Sequence, residues 1–115
     1  TYNVRGKNKI EADQLIEDAQ SLEKLGCFST VLEKIPHKLS EEISKKTKFP
    51  LIGIGAGNNV DGQVLVIHDL IGLTNEFNPR FIRRYLDLNS SIKSAVSQFI
   101  KDVKSSDFPS KDEMY

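Results

Sequence analysis

Glu33 is the residue of this chain best placed to do chemistry. It directly follows Ser29-Thr30-Val31-Leu32, so it stands at the C-terminal end of a run that reads as a buried strand. Desolvation at such a position disfavours the charged carboxylate, which suits a general base. The competing reading is a strand-end glutamate paired with Lys34 or simply solvated. A second group of residues is the glycine loop GIGAGNNVDG, with Gly53, Gly55, Gly57 and Gly62. It is not a dinucleotide fingerprint, because Asn58 stands where GxGxxG needs its third glycine and no clear helix opens after it. No GK[ST] follows, so it is not a P-loop either. Glycines here let backbone come close to something or adopt positive φ. A tight structural turn and a phosphate or nucleotide cradle both satisfy that need, and Asp61-Gly62 is first of all a turn signal. His68-Asp69 is a third candidate, but one such pair is fewer ligands than a metal site needs. A hydrogen-bonded structural histidine is the favoured reading of His68, and His37, after Pro36, is expected at the surface. Arg80, Arg83 and Arg84 read as a solvated or subunit-facing face of a short helix.

The elements that must position these residues follow from apolar spacing. Residues 1–10 read as a loop. Ala12, Leu15, Ile16, Ala19, Leu22 and Leu25 recur at spacings of three and four, predicting a helix over 11–25 that Gly26 stops. FSTVLE (28–33) reads as a buried strand. Pro36 opens a helix over about 37–47, with Leu39 and Ile43 inward and lysines near its C-terminal end. LIGI (51–54) and VLVI (64–67) read as two further strands, neither alternating apolar with polar. Strands without a polar face are covered on both sides, as in the parallel sheets of α/β folds. Asn78-Pro79 predicts a helix to about Leu86. Ser90 or Ser91 caps a last helix to about Lys104, with Ile92, Val96, Phe99, Ile100 and Val103 inward. Phe108-Pro109 and the charged tail read as a surface terminus.

The order is helix, strand, helix, strand, loop, strand, helix, helix, which implies βαβ units and parallel pairing. One connection resists. Only about nine residues separate Ile54 from Val64, and a parallel crossover normally takes a dozen or more. Either the crossover helix has decayed to an extended return or the two strands are antiparallel, and spacing leans to the second. Three doubly covered strands would also leave bare apolar edges, which natural proteins avoid. The chain therefore reads as part of something larger.

Composition narrows the function classes. The 115 residues are 28% charged and 38% hydrophobic, ordinary for one soluble domain. Sixteen basic residues balance sixteen acidic ones, without the basic excess of a nucleic-acid binder. No apolar run approaches the roughly 20 residues that cross a bilayer. The single Cys27 excludes a disulfide within the chain and reads as a reduced core thiol of an intracellular, cytoplasmic protein. Thr1 stands where an initiator Met would, and no signal-peptide pattern follows, so residues upstream are expected to be missing.

Taken together, AQSLEKLGCFSTVLEKIP, FPLIGIGAGNNVDGQVLVIHDLIGL, FNPRFIRRY and DFPSKDE resemble the ketopantoate hydroxymethyltransferase family across nearly the whole chain. The match is to that enzyme's second half. The resemblance implies the C-terminal part of a (β/α)8 TIM barrel of the phosphoenolpyruvate mutase and isocitrate lyase type. Residues 1–115 would then be one portion of a single barrel domain, with FSTVLE, LIGI and VLVI as strands six, seven and eight and terminal helices over 79–104. Parallel pairing then wins over the spacing argument. A whole barrel needs roughly 250 residues, so an N-terminal portion is the implied partner. The implied reaction adds a hydroxymethyl group from 5,10-methylenetetrahydrofolate to 3-methyl-2-oxobutanoate, giving ketopantoate for pantothenate and coenzyme A synthesis. A Mg2+ ion held by the missing portion would bind the keto acid and stabilise its enolate. The family's base lies in the VLE string, which here is Glu33. Ile54, Val64 and Val66 match apolar positions that contact the branched end of the keto acid. The family's metal ligands fall outside this chain, and its usual ending, PGEEHSF, is PSKDEMY here. Members commonly form homo-oligomeric decamers.

Overall fold

The computed structural model describes residues 3–76 and 78–115. The chain divides into two compact units, Thr1–Leu65 and Val66–Tyr115.

The first unit is α/β. Helix α1 spans Lys9–Lys24, strand β1 Thr30–Glu33, helix α2 His37–Lys46, strand β2 Leu51–Ile54 and strand β3 Gly62–Gln63. α1 starts two residues before the predicted point because Asn8 caps it, its side chain accepting from the Glu11 amide at 2.9 Å. The three strands form one sheet in the order β1-β2-β3, and both pairings are parallel. Parallel pairing thus prevails across the short return between β2 and β3, and that return contains no helix. Asp61 holds it in place. Its carboxylate accepts from the Leu51 amide at 2.8 Å, and its own amide donates to the Leu51 carbonyl at 3.0 Å.

One hydrophobic cluster organises this unit. Ile16 and Ala19 of α1, Leu39 and Ile43 of α2, Leu32 of β1 and Leu51 of β2 meet there with Ile35, Phe49 and Ala56. α1 and α2 therefore cover one face of the sheet. The other face is left partly bare, with Val31 exposed and Ile52 and Ile54 half-buried, so the expected burial of the strands on both sides is only partly met among the described residues. Of FSTVLE only Thr30–Glu33 is strand, Leu32 alone is buried, and Val31 is 57% exposed. Leu22 and Leu25 are exposed as well, since they fall beyond the stretch of α1 that meets the sheet. Cys27 is not a core thiol. It is exposed in the turn after α1, where its amide caps the helix by donating to the Leu22 carbonyl at 3.1 Å.

VLVI is the main departure. The ladder carries only Gly62–Gln63, and Ile67 already belongs to helix α3, Ile67–Leu70. The cause is local. The Asp69 and Leu70 amides both donate to the Val66 carbonyl at 3.0 Å, winding the chain where β2 offers no further partner.

The second unit comprises α3, an irregular stretch, helix α4 over Leu88–Ser105 and a 3-10 turn at Lys111–Glu113. The helix predicted over 79–86 is absent. A single turn closes between Ile82 and Pro79, and the Tyr85 amide is drawn to the Leu70 carbonyl at 2.8 Å. Arg84 donates to Asn78 Oδ1 and to the Thr74 carbonyl, so it braces a loop rather than lining a helix face. α4 is capped by Asp87, not by Ser90 or Ser91. Its carboxylate accepts from the Ser90 hydroxyl at 2.7 Å and the Ser90 amide at 3.2 Å, which hold it below the usual aspartate range. Ile92, Val96, Phe99, Ile100 and Val103 share one stripe of α4 but are all exposed, so the expected inward packing is not made within this chain. Phe99 meets Phe108 edge to face, with ring centroids 5.4 Å apart.

Candidate active site

Strand pairing puts the candidate residues together before any side chain is considered. In the β1–β2 ladder Glu33 lies directly opposite Ile54, and Leu32 opposite Gly53. Paired residues of neighbouring strands share a face, and successive residues alternate. Leu32 and Leu51 belong to the packed face. Val31, Glu33, Ile52 and Ile54 therefore belong to the bare one. Ile52 pairs with Gly62, and a Cβ on Gly62 would meet Ile52 Cδ1 at 2.9 Å, so β3 joins the same surface. The Val64 amide donates to the Gly53 carbonyl at 3.0 Å and carries the ladder one residue further. By alternation Val64 follows Gly62 onto the bare face. Glu33, Ile54 and Val64 are thus brought together, a carboxylate at the carboxyl edge of a parallel sheet with apolar neighbours. Val66 is exposed and opens the second unit. Glu33 is exposed too, so the desolvation argued for it is not supplied by this chain's own residues.

The turn that follows Glu33 is closely held. The Lys34 amide donates to the Ile54 carbonyl at 2.8 Å, and the Lys34 carbonyl accepts from the Arg5 amide at 3.1 Å. The Arg5–Gly6 segment is anchored in turn by Glu11. Its carboxylate accepts from the Gly6 amide at 2.7 Å and pairs with the Arg5 guanidinium. The Gly6 amide, then Arg5, hold that carboxyl below the usual glutamate range against partial desolvation. Sequence reading assigns no role to Arg5, Gly6 or Glu11, and offers Lys34 only as a charge partner of Glu33. The one available signal was Asn8-x-x-Glu11, the spacing of a helix cap.

The glycine loop is spent on packing. Gly57 has φ +84°, and a Cβ there would lie 2.4 Å from His37 Cβ and 3.0 Å from its Cα. Ser40, fully buried in α2, places its hydroxyl 2.5 Å from the Ala56 carbonyl. The close approach that the glycines permit is therefore to the start of α2. His37 itself is exposed, as expected. His68 is exposed in the first turn of α3. Among the described residues no three or more His, Cys, Asp or Glu side chains converge as a metal site. Nor is any helix among them long and apolar enough to cross a membrane.

A parallel α/β sheet with a carboxylate at the carboxyl end of one strand is where α/β enzymes place their reactive groups. The chain belongs to the ketopantoate hydroxymethyltransferase family, whose model matches residues 1–111. It is 58% identical over 115 residues to the 3-methyl-2-oxobutanoate hydroxymethyltransferase of Flavobacterium johnsoniae, covering all of this chain and 42% of that protein. It is 56% identical over the same span to the proteins of the same name from Christiangramia forsetii and Porphyromonas gingivalis. The chain spans 42% of the length of each of these curated relatives.

Proposed function

We propose that this chain supplies the general base and part of the apolar floor of a hydroxymethyltransferase acting on 3-methyl-2-oxobutanoate, in assembly with an N-terminal portion that completes a (β/α)8 barrel. The observation that carries the reading is the bare sheet face, with Glu33 at its carboxyl edge beside Ile54 and Val64. A sheet packed on one side by α1 and α2 and apolar on the other is what an arc of a barrel wall presents. Further strands would close over the bare face and bring Glu33 out of water.

In this reading the Glu33 carboxylate takes the C3 proton of the keto acid, and the C–H electron pair stays on the substrate as an enolate. Water releases the one-carbon unit of 5,10-methylenetetrahydrofolate as formaldehyde, both of its C–N bonds breaking and tetrahydrofolate leaving with the protons. The nucleophilic carbon then adds to the formaldehyde carbon, and the resulting alkoxide takes up a proton as the new hydroxyl. Ile54, Val64 and Val66 would meet the branched end of the substrate. Mg2+ would supply Lewis-acid stabilisation of the enolate. Its ligands are assigned to the N-terminal portion, as the family resemblance implies. Assembly as a cytoplasmic homo-oligomer belongs to the same reading. A phosphate- or nucleotide-binding module is the lesser alternative, because the Gly57 approach is already filled by His37.

The test is exchange of the C3 proton of 3-methyl-2-oxobutanoate by the assembled enzyme. Glu33→Gln is expected to slow exchange by roughly 10²–10⁴-fold, the usual worth of a positioned base. Exchange at the parental rate would remove Glu33 from the role.

A further inference from the structure

Two residues other than glycine have positive φ among those described, Lys34 at 52° and Ser106 at 60°. Ser106 has an ordinary reason, since it closes the C-terminus of α4 in the left-handed conformation common at helix ends. Lys34 is at no helix end. It follows Glu33 immediately, and a side chain with a Cβ pays in strain for such a backbone. The conformation persists because it is gripped from both sides, its amide by the Ile54 carbonyl at 2.8 Å and its carbonyl by the Arg5 amide at 3.1 Å. Just beyond, Ile35 is buried in the core and Pro36 caps α2. The chain thus passes from a residue on the bare face to a residue in the packed core within two positions.

We infer that Lys34 is a positioning residue whose left-handed backbone, clamped between Ile54 and Arg5, fixes the direction of the Glu33 carboxylate. The inference rests on the reading of Glu33 as the base. It locates the effect in the Lys34 backbone conformation and not in its ammonium group. An extended or right-handed residue here would continue or bend the strand differently and re-aim Glu33. Displacement of a reacting group by about 1 Å can cost roughly a hundredfold in rate.

The experiment compares Lys34→Val, Lys34→Asn and Lys34→Gly in the enzyme assembled with its N-terminal portion, beside Glu33→Gln. Valine is β-branched and resists positive φ, whereas Asn and Gly accept it. Lys34→Val is expected to lower kcat for C3-proton exchange roughly a hundredfold, with KM for the keto acid unchanged, at a temperature where the variant is folded by circular dichroism. Lys34→Asn and Lys34→Gly should stay within about threefold of the parent, and Lys34→Gly should melt no lower than it. A purely structural role would lower the melting temperature of Lys34→Val and leave kcat of the folded fraction intact, which overturns the inference. Equal loss in Asn and Val overturns it also, pointing to the ammonium. Either result, with Glu33→Gln inactive, leaves the base reading standing. Glu33→Gln exchanging at the parental rate overturns both.

Discussion

Glu11 orders more of the candidate site than its place on the outer turn of α1 suggests. Through Gly6 and Arg5 it fixes the segment whose amide holds Lys34, and Lys34 follows the proposed base. Its carboxyl lies below the usual glutamate range, chiefly through the Gly6 amide and then Arg5. A folded-state value depressed in this way gives stability that is present above the unfolded value and lost as pH falls through the folded one. The expected outcome is an acid limb in the melting temperature, beginning as pH falls to the ordinary glutamate value and complete below the folded-state one. Glu11→Gln should flatten that limb by lowering the melting temperature on the neutral side, leaving the acid end little changed. Melting curves of parent and variant across the acid range check this, and parallel acid limbs would refute it.

At the scale of elements, the α1–α2 layer and the glycine return hold the sheet in place. Ile43 is fully buried at the centre of the cluster, so Ile43→Ala is expected to cost about 2–5 kcal/mol by denaturant unfolding. Gly57→Ala would set a Cβ against His37 at φ +84°, with an expected loss of at least roughly 1–2 kcal/mol from the left-handed backbone alone. A fall smaller than that would mean the return relaxes away from α2. These are also the elements the sequence made legible. β2 and α2 stand almost where LIGI and the Leu39–Ile43 pair put them, because their inward residues are satisfied inside this chain. VLVI and the stripe of α4 are apolar as read, yet VLVI does not continue as strand and the stripe is exposed, while Asn78-Pro79 opens no helix. An apolar run declares that it needs cover and not what shape it will take while it waits. Where β2 ended, the Val66 carbonyl captured two amides and made a helix. Where Asp87 could reach the Ser90 amide, it displaced the serines as cap. Glu33 could be found from its strand-end position, whereas its support from Arg5 and Glu11 depends on contacts that no local pattern announces.

For the whole molecule, each unit ends in an unpaired apolar surface. The first has the exposed Val31 and Val64 beside the half-buried Ile52 and Ile54 on its partly bare sheet face, and the second has the stripe from Ile92 to Val103 on α4. Exposed apolar patches of this kind mark sites of contact with other polypeptide. The 115-residue chain alone is therefore expected to bind a hydrophobic dye and to exchange no C3 proton. Adding the N-terminal portion should quench the dye and restore exchange together. Exchange by the isolated 115 residues would contradict the scheme. The helix-free return after β2 also sets a sequence of events in time. Ile52 and Gly62 are ten residues apart along the chain, whereas Thr30 and Leu51 are twenty-one apart. Closing the shorter span costs about 0.6 kcal/mol less chain entropy. The hand-tight join between the last two ribs is thus the cheaper one to make first, and the proposed catalytic edge is finished only when the slower, helix-bearing span swings shut.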